Sequence, residues 1–244
     1  MRAQEVPLGL RSLISRAKRR FVGAPAGPKV GAPVRWEPAL AEDWTSMRDE
    51  FKLCFQTMAS ATVASWEVAS ADLHRRLRDA KGQDVATPML ERFSDALVPS
   101  LAAIQDAERG VAAVWKKSEA AAQSSGTMEQ PLALVAAHAR SVGAGFAEGW
   151  PKTVAYLEPL HTLLGAGPDN VAALGKVGEH ARKRLDDRAE SFAAALARVA
   201  VTTPFMPAFQ DACYDYRHGA AGDLEVVLEE VRQVMDRALR GAGA

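Results

Sequence analysis

From Trp44 to Leu77 the chain places Trp44, Met47, Phe51, Cys54, Met58, Ala61, Ser65, Ala69, Leu73 and Leu77 at alternating spacings of three and four. Only an α-helix puts residues so spaced on one face, and a stripe this long has to be buried against other elements. Pro38 suits the first turn of such a helix, since its missing N–H has no intrahelical partner there. Lys81-Gly82 suits its end, because glycine readily leaves the helical region. A helix of this length commits the rest of the chain to covering one side of it.

The remaining sequence supplies further helices. Thr87-Pro88 offers a capping hydroxyl and a first-turn proline, and Leu90, Phe93, Leu97, Leu101, Ile104, Val111 and Trp115 keep the same period, with Pro99 expected to bend the rod. Ser124-Ser125-Gly126 breaks it. Thr127 and Gln130 have the spacing of a capping box for a third segment running to about Gly165. Gly143, Gly145, Gly149, Pro151 and Pro159 interrupt that segment, which predicts two pieces. Gly165 to Pro168 reads as a stop and a new start. Val171, Leu174, Gly178, Ala181, Leu185, Phe192, Ala195 and Val199 then form a stripe near heptad spacing. Thr203-Pro204 marks another break, followed by a short aromatic segment (Phe205, Phe209, Tyr214, Tyr216), a Gly219–Gly222 separator and a last helix carrying Leu224, Val227, Leu228, Val231, Val234, Met235 and Leu239. No strand pattern competes. The expected fold is all-α: an elongated antiparallel bundle of four to five helices, with a separate N-terminal amphipathic helix.

That N-terminal segment is set apart by charge. Residues 1–35 hold Arg2, Arg11, Arg16, Lys18, Arg19, Arg20, Lys29 and Arg35 against Glu5 alone, in a chain whose formal net charge is zero, so the body is acidic by the same margin. Within residues 8–21, Leu10, Leu13, Ile14, Ala17 and Phe21 fall at helical spacing, with Arg11, Arg16, Lys18, Arg19 and Arg20 over the remaining surface. Three prolines and three glycines between Gly23 and Pro33 disfavour both helix and strand. The expected organisation is a basic amphipathic helix over 1–22, a Pro/Gly-rich linker over 23–35, and a helical bundle over 36–244.

Chemical signatures are sparse. Cys54 and Cys213 lack the close spacing of thiolate metal sites and read as buried free thiols. Glu158–His161 and Asp215–His218 each set a carboxylate three residues before a histidine, as four-helix di-metal sites do. Pro159 disturbs the first, Asp replaces Glu in the second, and no bridging carboxylates stand out. Asp186-Asp187-Arg188-Ala189-Glu190 resembles the magnesium-binding stretch of all-α isoprenoid synthases, with Asp211 and Asp215 as conceivable partners. Arg182, Lys183 and Arg184 one turn earlier favour a solvated, ion-paired helix face instead. His74, His138 and His180 read as exposed or rim residues. No phosphate loop, nucleophile elbow or Cys–His pairing occurs, and no metal or cofactor is called for. No apolar run approaches the length of a membrane span, and the N-terminus has no secretory core. Localisation is expected to be cytoplasmic, with peripheral membrane or granule association.

Leu10, Arg11, Leu13, Ile14, Arg16, Lys18, Arg19, Arg20 and Phe21 are therefore the candidate binding residues, for an anionic membrane or granule surface. Nucleic acid is disfavoured, because the body is acidic and aromatics are not interleaved with the basic residues. The organisation resembles that of granule-coating proteins and of curvature-sensing bundles with an insertion helix, although no motif of either occurs. The expected function is a non-enzymatic adaptor or coat, whose bundle meets protein partners or further copies of itself. The alternatives are a soluble interaction module (effector, chaperone or scaffold) with a dispensable or targeting tail and, more remotely, a metal-dependent all-α enzyme.

Overall fold

The computed structural model describes residues 29–163 and 168–241. Among them are helices α1 (Pro38–Lys81), α2 (Gln83–Ala96), α3 (Val98–Ser125), α4 (Glu129–Leu163), α5 (Pro168–Val199) and α6 (Phe205–Gly241), with two short strands, β1 (Lys29–Val30) and β2 (Thr202–Thr203). The long Trp44–Leu77 stripe forms as expected within α1, whose 44 residues span about 66 Å.

α2 and α3 are one rod interrupted at Leu97. Pro99 lies in the first turn of α3, and the amides of Ser100 and Leu101 both donate to the Leu97 carbonyl, so the proline breaks the helix where a bend was expected. Five rods result. Successive rods are antiparallel and close into a circuit. Trp115 meets Trp44 and Phe93 meets Trp66; His138 meets Ala107 and Thr153 meets Ser100; Trp150 meets Leu174 and Arg140 meets Glu190; Phe192 meets Tyr216 and His180 meets Glu230. With an odd number of rods the closing pair must run the same way. Accordingly α1 and α6 are parallel, Glu50 meeting Arg217 and Arg76 meeting Asp236.

Phe51 lies at the centre of the circuit, fully buried. Its ring sits 5.0 Å from Phe55, 6.2 Å from Trp115, 6.1 Å from His138 and 6.0 Å from Phe192, which joins four of the five rods. Phe192 stacks on Tyr216 of the fifth at 4.4 Å.

Several local expectations give way to packing. α2 begins at Gln83 rather than at Thr87-Pro88, which leaves Pro88 inside the helix. α4 is a single helix of 35 residues, not two pieces. Its glycines and prolines cost roughly 1 and 3 kcal/mol each. Burial of Leu132, Val135, Val142, Phe146, Trp150, Leu157 and Leu160, at roughly 1.5–3 kcal/mol apiece, exceeds that. The glycines mark close approaches: a Cβ on Gly149 would lie 2.4 Å from the Pro99 carbonyl oxygen, and one on Gly178 of α5 2.0 Å from the Trp150 ring. α6 likewise runs unbroken through Gly219–Gly222. Its buried stripe Phe205, Phe209, Cys213, Tyr216, Ala220, Leu224, Val227, Val231 and Met235 never loses the helical period. α4 begins at Glu129 without the expected Thr127–Gln130 capping box: the Thr127 amide donates to the Ser125 hydroxyl at 3.3 Å, and the Met128 amide to the Val34 carbonyl.

The most consequential difference concerns residues 29–36, expected to be linker as far as 35. β1 pairs antiparallel with β2, Lys29 opposite Thr203 and Val30 opposite Thr202. The Gly31 amide donates to Val201, that of Val34 to Ala200 and that of Trp36 to Gly126. These bonds join the segment to carbonyls at the ends of α3 and α5, groups that need partners at any helix terminus. Trp36 then packs edge-on against Trp44 at 5.1 Å. The prolines tolerate this arrangement because the neighbouring residues supply the amides.

Candidate interaction surfaces

Leu10, Arg11, Leu13, Ile14, Arg16, Lys18, Arg19, Arg20 and Phe21, and the linker as far as Pro28, lie outside the described residues. What the structure fixes is where the chain leaves them. Lys29 is fastened beside Thr203 in the α5–α6 turn, at the end of the bundle that also carries the α3–α4 turn. Residues 1–28 carry a formal charge of +5, and the rest of the chain −5.

The carboxylate–histidine motifs are not assembled. Asp215 and His218 are exposed on α6, where the His218 ring lies 4.2 Å from that of Tyr214. Glu158 is exposed on α4, which is not a neighbour of α6 in the circuit, and the His161 side chain is outside the described residues. Among the described residues no group of three or more metal-ligating side chains converges. The acidic stretch of α5 has arginine partners: Arg182 approaches Asp186 at 3.5 Å, and Arg140 donates to both oxygens of Glu190 at 2.6 and 2.9 Å. Those bonds hold the Glu190 carboxyl below the ordinary range. Arg188, within the stretch, donates to Asp223 at 3.0 Å. This is an ion-paired helix face, as Arg182–Arg184 suggested.

His138 is not a rim residue. It is half-buried beside Phe51 and Phe55, its Nε2 2.7 Å from the Ala107 carbonyl, which requires the proton on Nε2. Gly110 makes room, since a Cβ there would come 2.7 Å from the ring. Nothing in the sequence around His138 signals this, because the space is provided by another helix.

Cys54 and Cys213 are free and fully buried at the α1–α6 interface, as their sequence contexts suggested, and the Cys54 thiol donates to the Cys213 carbonyl at 3.5 Å. Burial first, then the Cys54 thiol, pushes the Cys213 thiol well above its usual range. Reactive cysteines need the opposite environment. Neither thiol is expected to react with an aromatic disulfide reagent while the protein is folded, and both should react at once in denaturant; rapid labelling of native protein would show the interface to be open.

Two grooves stand out. Between α1 and the α2–α3 rod, Val63, Trp66, Leu97, Val98 and Leu101 line an apolar groove of about 420 Å³, with Val98 59% exposed. It opens where Pro99 interrupts the rod. Between α5 and α6 a groove of about 470 Å³ has Phe192, Ala195, Ala212 and Tyr216 among its lining, with Asp215, His218, Arg188 and Arg198 around them. Among the described residues no helix is long and apolar enough to cross a membrane.

Fold and surfaces together define an all-helical, five-rod bundle with a basic N-terminal extension. No protein-family model, curated protein or solved structure matches the chain.

Proposed function

We propose that the protein is a non-enzymatic adaptor or coat that holds an anionic membrane or granule surface through residues 8–21 and meets protein partners through its bundle. The observation that carries this reading is the separation of charge. A segment of +5 with an apolar face belongs to a chain otherwise at −5. Interfacial helices combine these features, apolar side chains inserting at the headgroup boundary while arginines meet anionic lipid. The bonds at 29–36 support the reading mechanically, because a segment leaving from a rigid point transmits its attachment to the whole bundle. The Trp66–Val98 groove is the partner-facing surface in this scheme, as exposed apolar surface beside an interrupted rod suits association.

Leu13→Glu with Ile14→Glu tests the anchor within the full chain. Binding to phosphatidylserine-containing vesicles should fall by at least about tenfold, since two buried aliphatic side chains are replaced by charges that repel the surface. Unaltered binding would exclude insertion. Protein capture by the variant, with no dependence on lipid, would favour the soluble interaction module.

A further inference from the structure

We propose that Cys54 and Cys213 form a redox latch across the α1–α6 seam: as thiols they leave the seam free to part, and as a disulfide they lock the rods into a closed ring. Topology is the first argument. Each other pair of neighbouring rods is joined by a turn of the chain, whereas α1 and α6, the first and the last, meet only through side chains. A bond between them would close a circuit that is covalently joined on every side but this one. The chain has only two cysteines, 159 residues apart, and both fall on this seam.

Geometry is the second argument. Arg76 and Asp236, which pair farther along the same parallel helices, are 160 residues apart, so Cys54 and Cys213 lie level with one another in the register the helices already keep. Both are fully buried, the Cys54 thiol reaches the Cys213 carbonyl at 3.5 Å, and the two thiols are neighbours. Glu50, one turn before Cys54, pairs with Arg217, one turn after Cys213, and Arg217 stands 5.3 Å from the centre of the Tyr214 ring. With the thiols enclosed in this way, an oxidant reaches them only when α1 and α6 part. That oxidant is a small disulfide such as oxidised glutathione. One cysteine, as its thiolate, attacks it and releases one glutathione thiol; the second attacks the mixed disulfide so formed and releases the other. Two cysteines are oxidised, one glutathione disulfide is reduced, and the two cysteine protons end on the two glutathione thiols. Once the seam recloses, the same enclosure shields the bond from reductant.

The full chain is oxidised with glutathione disulfide in denaturant, refolded, and compared with reduced chain carried through the same steps. The oxidised form should melt about 10 °C higher, since a cross-link that closes so long a loop greatly restricts the unfolded chain while fitting the folded one. Cys213→Ala combined with Asp215→Cys moves the thiol to the exposed side of α6 with almost the same loop, and its oxidised form should melt no higher than its reduced one. The native reduced chain should take up the disulfide at least about a hundredfold more slowly than the denatured chain, and its slowly formed product gives the same melting comparison without refolding. An oxidised form that melts at or below the reduced form, an equal gain in the Asp215→Cys variant, or oxidation as fast in the native chain as in denaturant would overturn the latch.

Discussion

Replacing Phe51 by Ala should destabilise the bundle by about 3–5 kcal/mol, the range for emptying a fully buried aromatic site. The ring touches side chains from α1, α3, α4 and α5, so no single helix can shift to refill the space without parting from another. At roughly 2–4 °C per kcal/mol for a chain of this size, the melting temperature should fall by about 10 °C. Leu53→Ala, on the outer face of α1 and 39% exposed, is the matched control and should change stability by less than about 0.5 kcal/mol. Thermal and denaturant unfolding of the two variants decide this. A loss below about 1 kcal/mol for Phe51→Ala would mean that the rods close without their central ring.

Gly149→Ala is the second large effect, and its sign is opposite to helix propensity. Alanine in a helix interior is favoured over glycine by about 1 kcal/mol. At Gly149, however, the new Cβ would stand 2.4 Å from the Pro99 oxygen, 2.8 Å from its carbonyl carbon and 3.1 Å from the Ser100 Cα. These are backbone atoms in the first turn of α3, and no rotamer change moves them aside. A net loss of about 3 kcal/mol is expected, as overpacking forces α3 and α4 apart. Gly175→Ala makes the comparison, since nothing lies within 4 Å of its added Cβ. It should be neutral or stabilising by up to about 1 kcal/mol. If both glycines gave the stabilising result, α3 and α4 would not meet at Pro99.

The contrast between these glycines explains what could be read from the chain alone. Apolar stripes such as Trp44–Leu77 and Leu224–Leu239 fix helices, because period and burial follow from the same side chains. Local propensity at glycine and proline, by contrast, does not locate the helix ends. Gly149 and Gly219 clear space for Pro99 and Arg188, residues remote in sequence, so their spacing carries no trace of that role. The docking of 29–36 was invisible for a related reason: it is made by main-chain amides and carbonyls, which every residue but proline can offer alike. Parallel pairing of α1 with α6 follows from the count of rods, which the misplaced breaks in α4 and α6 obscured.

The surface candidates divide in the same way. The basic segment is legible because its charge and the helical spacing of its apolar residues coincide within fourteen residues. The grooves are not, since each lies between two successive rods, one of them also spanning the Leu97 break, and which side chains line the gap is set by how those rods pack. The acidic stretch Asp186–Glu190 drew attention as a metal motif and proves to be tied to Arg140, Arg182 and Asp223, through pairs on three helices. Of its partners only Arg182 lies one turn away in sequence.

The boundary at Lys29 also sets where the chain should be cut to test the anchor, because a chain begun at Trp36 would lose the bonds made by Lys29 to Val34 along with the basic segment. The most direct measurement is co-sedimentation of the full chain, and of the chain begun at Lys29, with phosphatidylserine-containing vesicles and with phosphatidylcholine alone, each with its unfolding curve. The shortened chain is expected to melt with the full one and to lose at least about tenfold in affinity for the anionic vesicles, with the affinity of the full chain falling as salt screens its arginines. Equal sedimentation of the two chains would contradict the assignment of residues 8–21 as the surface anchor.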